Sequence, residues 1–204
     1  MPSDTDIFLD RKQLRRDIRS KRRRLSTSTQ RQHAHQACKH LSLQLFFRRA
    51  KHIALYLPND GELSPEPLIQ LCWKLKKTVY LPVLHPILHN RLWFIPYTPH
   101  TKMCLNSYKI KEPTLKRAPK RPAWALQLVC LPLVAFDKNG GRLGMGGGYY
   151  DRTFAFKRYE KGLCGPQLIG LAHGLQQVDQ LPIEEWDVPL AGVATEQYLH
   201  IFNY

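Results

Sequence analysis

The 204-residue sequence predicts an α/β fold: a mostly parallel sheet flanked by helices on both faces. Three observations carry that prediction. Residues 52–57, 65–76 and 78–81 read as strand, helix and strand, the succession that builds parallel pairing. Residues 127–131, Gln-Leu-Val-Cys-Leu, form a nearly continuous apolar strand, as burial on both faces requires. A glycine-rich segment then joins that strand to a helix from about Tyr149 to Tyr159.

Asp10 is placed to cap a helix reaching Arg24, with Leu14, Ile18 and Leu25 recurring at helical spacing. Its other positions are nearly all basic, so one narrow apolar stripe docks and the rest faces solvent or ligand. On that reading Arg19, Arg22, Arg23 and Arg24 are outer charges. Ser26 or Ser28 caps a second helix running to about Arg49. The strand at 52–57 ends at Pro58, before the turn Asn59-Asp60-Gly61. The helix from Pro65 to Lys76 leads to the strand at 78–81, stopped by Pro82. Residues 91–96 form a further strand, placed antiparallel at an edge because Pro86 and Pro96 bracket it. The Pro- and Lys-rich stretch 113–122 is a loop, with too few residues on either side for two balanced cores. Strands at 168–171 and 192–195 complete a three-layer, Rossmann-like pattern, read as a single domain with a basic N-terminal helix at about 10–24.

At 43% hydrophobic and 23% charged residues, the chain has the composition of a soluble globular protein. No apolar run approaches the roughly 20 residues a membrane helix needs. The N-terminus lacks the basic-then-apolar order of a secretory signal, so the cytoplasm is the expected compartment. Cys38, Cys72, Cys104, Cys130 and Cys164 show no zinc-ligand spacing and are expected to be buried free thiols. The net charge of +15 is concentrated: nine of the fourteen residues from 11 to 24 are Lys or Arg, and neither occurs after Lys161. An anionic partner follows from that distribution: a nucleotide, an anionic small molecule or a nucleic acid.

The chemistry centres on residues 137–151, Asp-Lys-Asn-Gly-Gly-Arg-Leu-Gly-Met-Gly-Gly-Gly-Tyr-Tyr-Asp. Six of these fifteen residues are glycine, so backbone N–H groups can approach an anion unobstructed. A helix N-terminus just downstream adds partial positive charge. The pattern matches neither the Walker motif nor GxGxxG, which disfavours a dinucleotide oxidoreductase. Arg142 offers a planar fork for phosphate oxygens, and Asp151 a carboxylate for magnesium. Asp187, in an acidic turn before the last core strand, is a second carboxylate, and Glu62 follows the first strand. Taken singly, each reads as an ordinary loop acid.

Together these pieces resemble the 5-formyltetrahydrofolate cyclo-ligase family. The likeness runs from Arg11-Lys12-Gln13-Leu14-Arg15 through residues 56–63, Lys111-Glu112-Pro113 and the glycine segment to 181–189 and 193–196. The glycine segment is its specific part. The resemblance implies ATP-dependent cyclisation of 5-formyltetrahydrofolate to 5,10-methenyltetrahydrofolate with magnesium, through phosphorylation of the formyl oxygen. It implies ATP contacts for Arg11, Arg15, Arg142, Gly144, Gly146, Gly147 and Gly148, with Arg142 catalytic. It assigns the folate to Leu57, Glu62, Tyr149 and Tyr150, and the metal to Asp151 and Asp187. Some members carry basic residues where this chain has Met145 and Gly147, which leaves more of the phosphate charge to Arg142 and magnesium. The basic excess fits a polyglutamylated folate. It also fits a rival, a nucleic-acid-binding module tracking phosphates with residues 11–24, although no RNA motif accompanies that run. A third reading keeps the fold but changes the chemistry, to a sugar-phosphate isomerase or acyl-CoA transferase relative.

Overall fold

The computed structural model describes residues 4–115, 118–158, 165–182 and 184–202. In chain order its helices are α1 (Asp4–Arg23), α2 (Thr27–Ser42), α3 (Leu45–Arg49), α4 (Glu66–Lys74) and α5 (Tyr149–Thr153). The strands are β1 (His52–Ala54), β2 (Thr78–Leu84), β3 (Leu92–Tyr97), β4 (Met103–Leu105), β5 (Lys111–Pro113), β6 (Leu128–Pro132), β7 (Ala135–Phe136), β8 (Arg142–Leu143), β9 (Gln167–Leu171), β10 (Gly192–Ala194) and β11 (Leu199–Ile201).

Seven strands form the main sheet in the order β11-β10-β9-β6-β1-β2-β3. The five from β10 to β2 are parallel, while β11 and β3 pair antiparallel at the two edges. From β1 the chain steps to β2 on one side, whereas β6 lies on the other. The strand order therefore reverses between β1 and β6. In an open α/β sheet the crevice beyond the C-terminal ends of two such strands is where ligands bind.

Both faces are covered. Ala37, Leu41, Phe47, Leu68, Ile69 and Cys72 from α2, α3 and α4 pack on Ile53, Val79, Leu128, Cys130 and Ile169. On the opposite face Phe154, Val188, Leu190 and Phe202 pack on Ala54, Val129, Leu131, Leu168 and Val193. Within β6, Leu128 and Cys130 point one way, Val129 and Leu131 the other, and all four are buried. That alternation explains the unbroken apolar run. Ile18 and Leu14 of α1 pack with Val134, Ala135, Leu143 and Leu181, a third cluster that brings α1 against the segment following β6.

Several elements differ from the sequence expectation. Helix α1 starts at Asp4, not Asp10. Ser26 does cap α2, accepting from Thr29 N–H at 3.1 Å. The helix stops at Ser42, and an extended Gln44 re-aims α3 so that Phe47 reaches the core. Pro82 does not end β2. Beyond Tyr80 that strand no longer pairs with β1, so the missing N–H costs no ladder bond on that side. The edge strand β3 is antiparallel, as expected. The pairs β4–β5 and β7–β8, and the edge strand β11, carried too short a pattern to be read. Pro113 belongs to β5, and Glu112 beside it is buried. Its Oε2 accepts from Leu84 N–H at 3.2 Å and Asn106 Nδ2 at 3.1 Å, tying the β4–β5 ribbon to the end of β2.

Candidate active site at the ends of β1 and β6

The segment after β1 forms one wall. Tyr56 donates its hydroxyl proton to the Leu63 carbonyl at 2.5 Å. Between them, Glu62 N–H bonds to Asn59 O at 3.0 Å, and Asn59 N–H bonds back to Glu62 Oε2 at 3.0 Å. Asp60 and Gly61 both take positive φ, 53° and 74°. A Cβ on Gly61 would lie 3.3 Å from the Arg22 carbonyl and Arg23 Cα, so only glycine fits this left-handed turn pressed on the end of α1.

That contact corrects the reading of Arg22 as an outer charge and draws in Arg19 in part, whereas Arg23 stays exposed while pairing with the same acid. Arg19 Nε lies 2.7 Å from Asp60 Oδ2, Arg22 Nη2 lies 3.0 Å from the same oxygen, and Arg23 Nε lies 3.2 Å from Asp60 Oδ1. Arg22 is 0% exposed. Its Nε donates to Asp60 O at 2.8 Å and its Nη1 to Leu133 O at 3.2 Å. Burial alone would raise the Asp60 pKa, but hydrogen bonds from Arg19 and Arg22, with their charges, hold it below the usual value. Positions 19, 22 and 23 share one helical face. Arg22 therefore turned inward, because Asp60, far along the chain, supplies its partner. Arg24 is exposed, as expected.

Glu62 is the unusual acid here. Its side chain is 11% exposed, and Oε1 lies 3.8 Å from Arg22 Nη2. Burial pushes its pKa from 4.5 up to about 7, against the Asn59 N–H bond and the Arg22 charge. Tyr150 is also pushed up, first by burial and then by Glu62. Its ring stacks on Phe154 at 6.4 Å. Leu57 is half-buried at the start of the same segment. The folded protein holds the Glu62 proton more tightly than the unfolded chain does. This group's contribution to stability is present below about 4.5 and is lost as pH rises through about 7, by on the order of 3 kcal/mol at full ionisation. Glu62→Gln is therefore expected to gain in melting temperature over wild type, by several degrees, between about pH 5 and about pH 8. Parallel melting curves for the two proteins across that range would contradict the buried-acid assignment.

The opposite wall is the segment after β6. Residues 135–143 form a hairpin, so Arg142 sits in strand β8 and not in a loop entering a helix. The hairpin is buried. Asp137, 1% exposed, accepts from Asn139 and Gly141 N–H at 2.9 Å each and from Leu181 N–H at 3.0 Å. Arg142, 7% exposed, gives Nη1 to the Val188 carbonyl and Nη2 to Asp151 Oδ1. Arg15 reaches across from α1, its Nε donating to Gly144 O at 2.9 Å and its guanidinium facing Gly146. Gly148 precedes α5 at φ 64°, where a Cβ would strike Arg152 Nη1 at 2.5 Å. Gly144 has open space where its Cβ would be, and Gly147 meets the Tyr149 ring. Tyr149 and Tyr108 share a hydroxyl hydrogen bond of 2.9 Å. That bond, then burial, pushes Tyr149 up to about 12. A further correction concerns α5. It has five residues, and a 3-10 turn at Ala155–Arg158 follows, with Tyr159 outside the described residues. So short a helix contributes little dipole, which leaves backbone N–H groups and arginines as the groups here that could hold an anion.

The remaining acids lie nearby. Arg11 bonds through Nη1 to Glu184 and through Nη2 to Asp187, both at 3.2 Å, while its buried Nε has no partner among the described residues. Asp187 Oδ2 also accepts from Glu184 N–H at 3.0 Å, and Asp151 Oδ1 from Val188 N–H at 3.2 Å. Asp151 thus sits against the backbone beside Asp187, each carboxylate held by its own arginine. The sequence-predicted residues from α1, the β1 loop, the glycine segment and the acidic turn converge on this end of the sheet. Arg22, Asp60, Asp137 and Tyr108 were missed, since only the fold gives them partners.

The fold is that of an α/β enzyme. A sequence model of the 5-formyltetrahydrofolate cyclo-ligase family matches residues 9–196. The 5-formyltetrahydrofolate cyclo-ligase of Haemophilus influenzae is 45% identical over 88% of this chain and 94% of its own. That of Escherichia coli is 42% identical over 87% and 96%. Among solved structures, the 5,10-methenyltetrahydrofolate synthetase of Aquifex aeolicus superposes with a TM-score of 0.79 at 26% identity, covering 95% of this chain and 93% of that one. The chain belongs to the 5-formyltetrahydrofolate cyclo-ligase family.

Proposed function

We propose that the protein cyclises 5-formyltetrahydrofolate to 5,10-methenyltetrahydrofolate at the expense of ATP. The observation that carries this reading is the meeting of two unlike walls at the reversal point: a half-apolar wall of Leu57, Glu62 and Tyr150, and a glycine- and arginine-rich wall. The first suits the flat reduced folate, with Tyr149 beside it. The second suits the triphosphate, with Arg11, Arg15 and Arg142 around Gly144, Gly146, Gly147 and Gly148. The formyl oxygen attacks the γ-phosphorus and ADP leaves. N10 then attacks the formyl carbon, and phosphate departs as the ring closes. The substrate supplies both nucleophiles, so the protein's part is to position the reactants and offset charge.

Asp151 and Asp187 are the proposed magnesium ligands. Two carboxylates, Asp187 and the one bonded to Val188 N–H next to it in the chain, suit a hard cation that keeps waters and takes phosphate oxygens. Bound there, magnesium would neutralise charge on the triphosphate. Arg11 and Arg142, which hold these carboxylates, would be the cations next to the bound phosphates.

Arg19, Arg22 and Arg23 are engaged by Asp60 and Arg11 by the acidic turn, which favours a ligand-organising helix over a nucleic-acid-tracking one. The exposed Lys12, Arg16, Lys21 and Arg24 remain on the outer face, where a polyglutamate tail would find positive charge. Among the described residues no helix is long and apolar enough to cross a membrane. Cys72 and Cys130 are buried free thiols, Cys38 is half-buried, Cys104 is exposed and not buried as expected, and Cys164 lies outside the described residues. Buried free thiols suit the cytoplasm, the compartment we propose.

Turnover is expected to require ATP and a divalent cation together. The test mixes the protein with 5-formyltetrahydrofolate, ATP and magnesium and follows methenyl-folate absorbance. No product with all three present would overturn the folate reading. Full turnover in excess chelator would remove only the metal assignment.

A further inference from the structure

We propose that His33, His173 and Glu196 form a second metal site, for a borderline transition-metal dication such as zinc or cobalt. His33 lies on α2, while His173 and Glu196 follow the C-terminal ends of the adjacent parallel strands β9 and β10. His33 Nδ1 stands 3.0 Å from His173 Nδ1 and 3.6 Å from Glu196 Oε2. One ligand atom from each of the three residues falls within 4.8 Å of the others. Donors held at about 2.0–2.2 Å around a first-row dication lie roughly 3 to 3.6 Å from one another, so the cluster is close to the size such an ion requires.

The donor chemistry selects the metal class. Two imidazole nitrogens and one carboxylate oxygen match zinc and its neighbours, whereas magnesium prefers oxygen alone. His173 is wholly buried, and burial, reinforced by His33, lowers its pKa to about 4, so its ring is neutral near neutral pH. Its Nε2 makes no well-formed hydrogen bond, but the Gly61 carbonyl lies beside the ring. That carbonyl favours the proton on Nε2, the outer-shell arrangement common to metal-binding histidines, while the ring accepts from Gln176 N–H, a bond that ligation would replace. Glu196 Oε2 is already oriented by Gly174 N–H at 2.9 Å. In the hydrogen-bonded histidine pair one Nδ1 carries the shared proton. Ligation moves that proton to Nε2 of His33, the partly exposed ring, with no net proton loss. A metal here joins α2 to the ends of β9 and β10, beside the Gly61 turn that carries Glu62.

The test is a cobalt titration of the full chain, read by visible ligand-field absorption, with zinc-dependent melting as a second measure. Neither reads turnover, so the outcome is independent of the folate assignment. Wild type is expected to take up one cobalt with ligand-field bands and to melt higher in zinc. His33→Ala and Glu196→Gln should each weaken binding by more than about a hundredfold, with His33→Ala keeping its ATP-dependent turnover. Wild type without ligand-field bands, or His33→Ala binding like wild type, overturns the proposal and leaves a hydrogen-bonded clasp.

Discussion

Arg142→Ala is expected to lower the rate of methenyl-folate formation by roughly two to three powers of ten, the usual cost of losing a donor aimed at developing charge. The buried guanidinium holds both the Val188 carbonyl and Asp151. Alanine therefore removes a cation from the phosphate wall and also frees the carboxylate proposed to bind magnesium. Arg142→Lys should recover only part of the rate, because an ammonium cannot span two acceptors in one plane. Kinetics at saturating ATP and magnesium, with melting curves for both variants, separate a slowed chemical step from unfolding. Wild-type turnover in a folded alanine variant would remove Arg142 from the reaction.

The second large effect is on stability. Arg22→Ala should cost about 3–5 kcal/mol, because it removes a wholly buried cation that faces both Asp60 and Glu62 and takes a donor from the Asp60 and Leu133 carbonyls. The exposed neighbour Arg24→Ala should change stability by less than about 0.5 kcal/mol, although both are arginines two positions apart. Urea unfolding of the two variants measures the contrast. Equal, small losses in both single variants would mean that the buried ion pairs do not hold the β1 loop. This prediction replaces the sequence expectation that Arg22 is a dispensable outer charge.

Much of the architecture was legible because it depends on local pattern. The unbroken apolar run of β6 announces burial on two faces, and the succession β1, α4, β2 announces parallel pairing. Pro86 and Pro96 mark the antiparallel edge. Strand ends were not legible, since β1 and β2 stop where their neighbours stop. Pro82 stays in β2 only because no strand lies on its other side. The short ribbons β4–β5 and β7–β8 depend on what they pack against.

For the site, composition and spacing alone pointed to the glycine segment, and the resemblance assigned roles to Glu62, Asp151 and Asp187. Charge pairing was decided by the tertiary structure. A run of nine basic residues in fourteen specifies a polar helix, but not which side of that helix meets acids. The reversal of strand order between β1 and β6 brings the Asp60 turn and the β6 hairpin to one end of the sheet, and α1 lies across both. Arg22 is thereby buried against Asp60, and Arg142 against Asp151. The same closure lifts the Glu62 pKa. Residue type and local spacing set the elements and the kinds of chemistry available. Desolvation and ion pairing depend on contacts between residues distant in the chain, so only the folded arrangement could assign them.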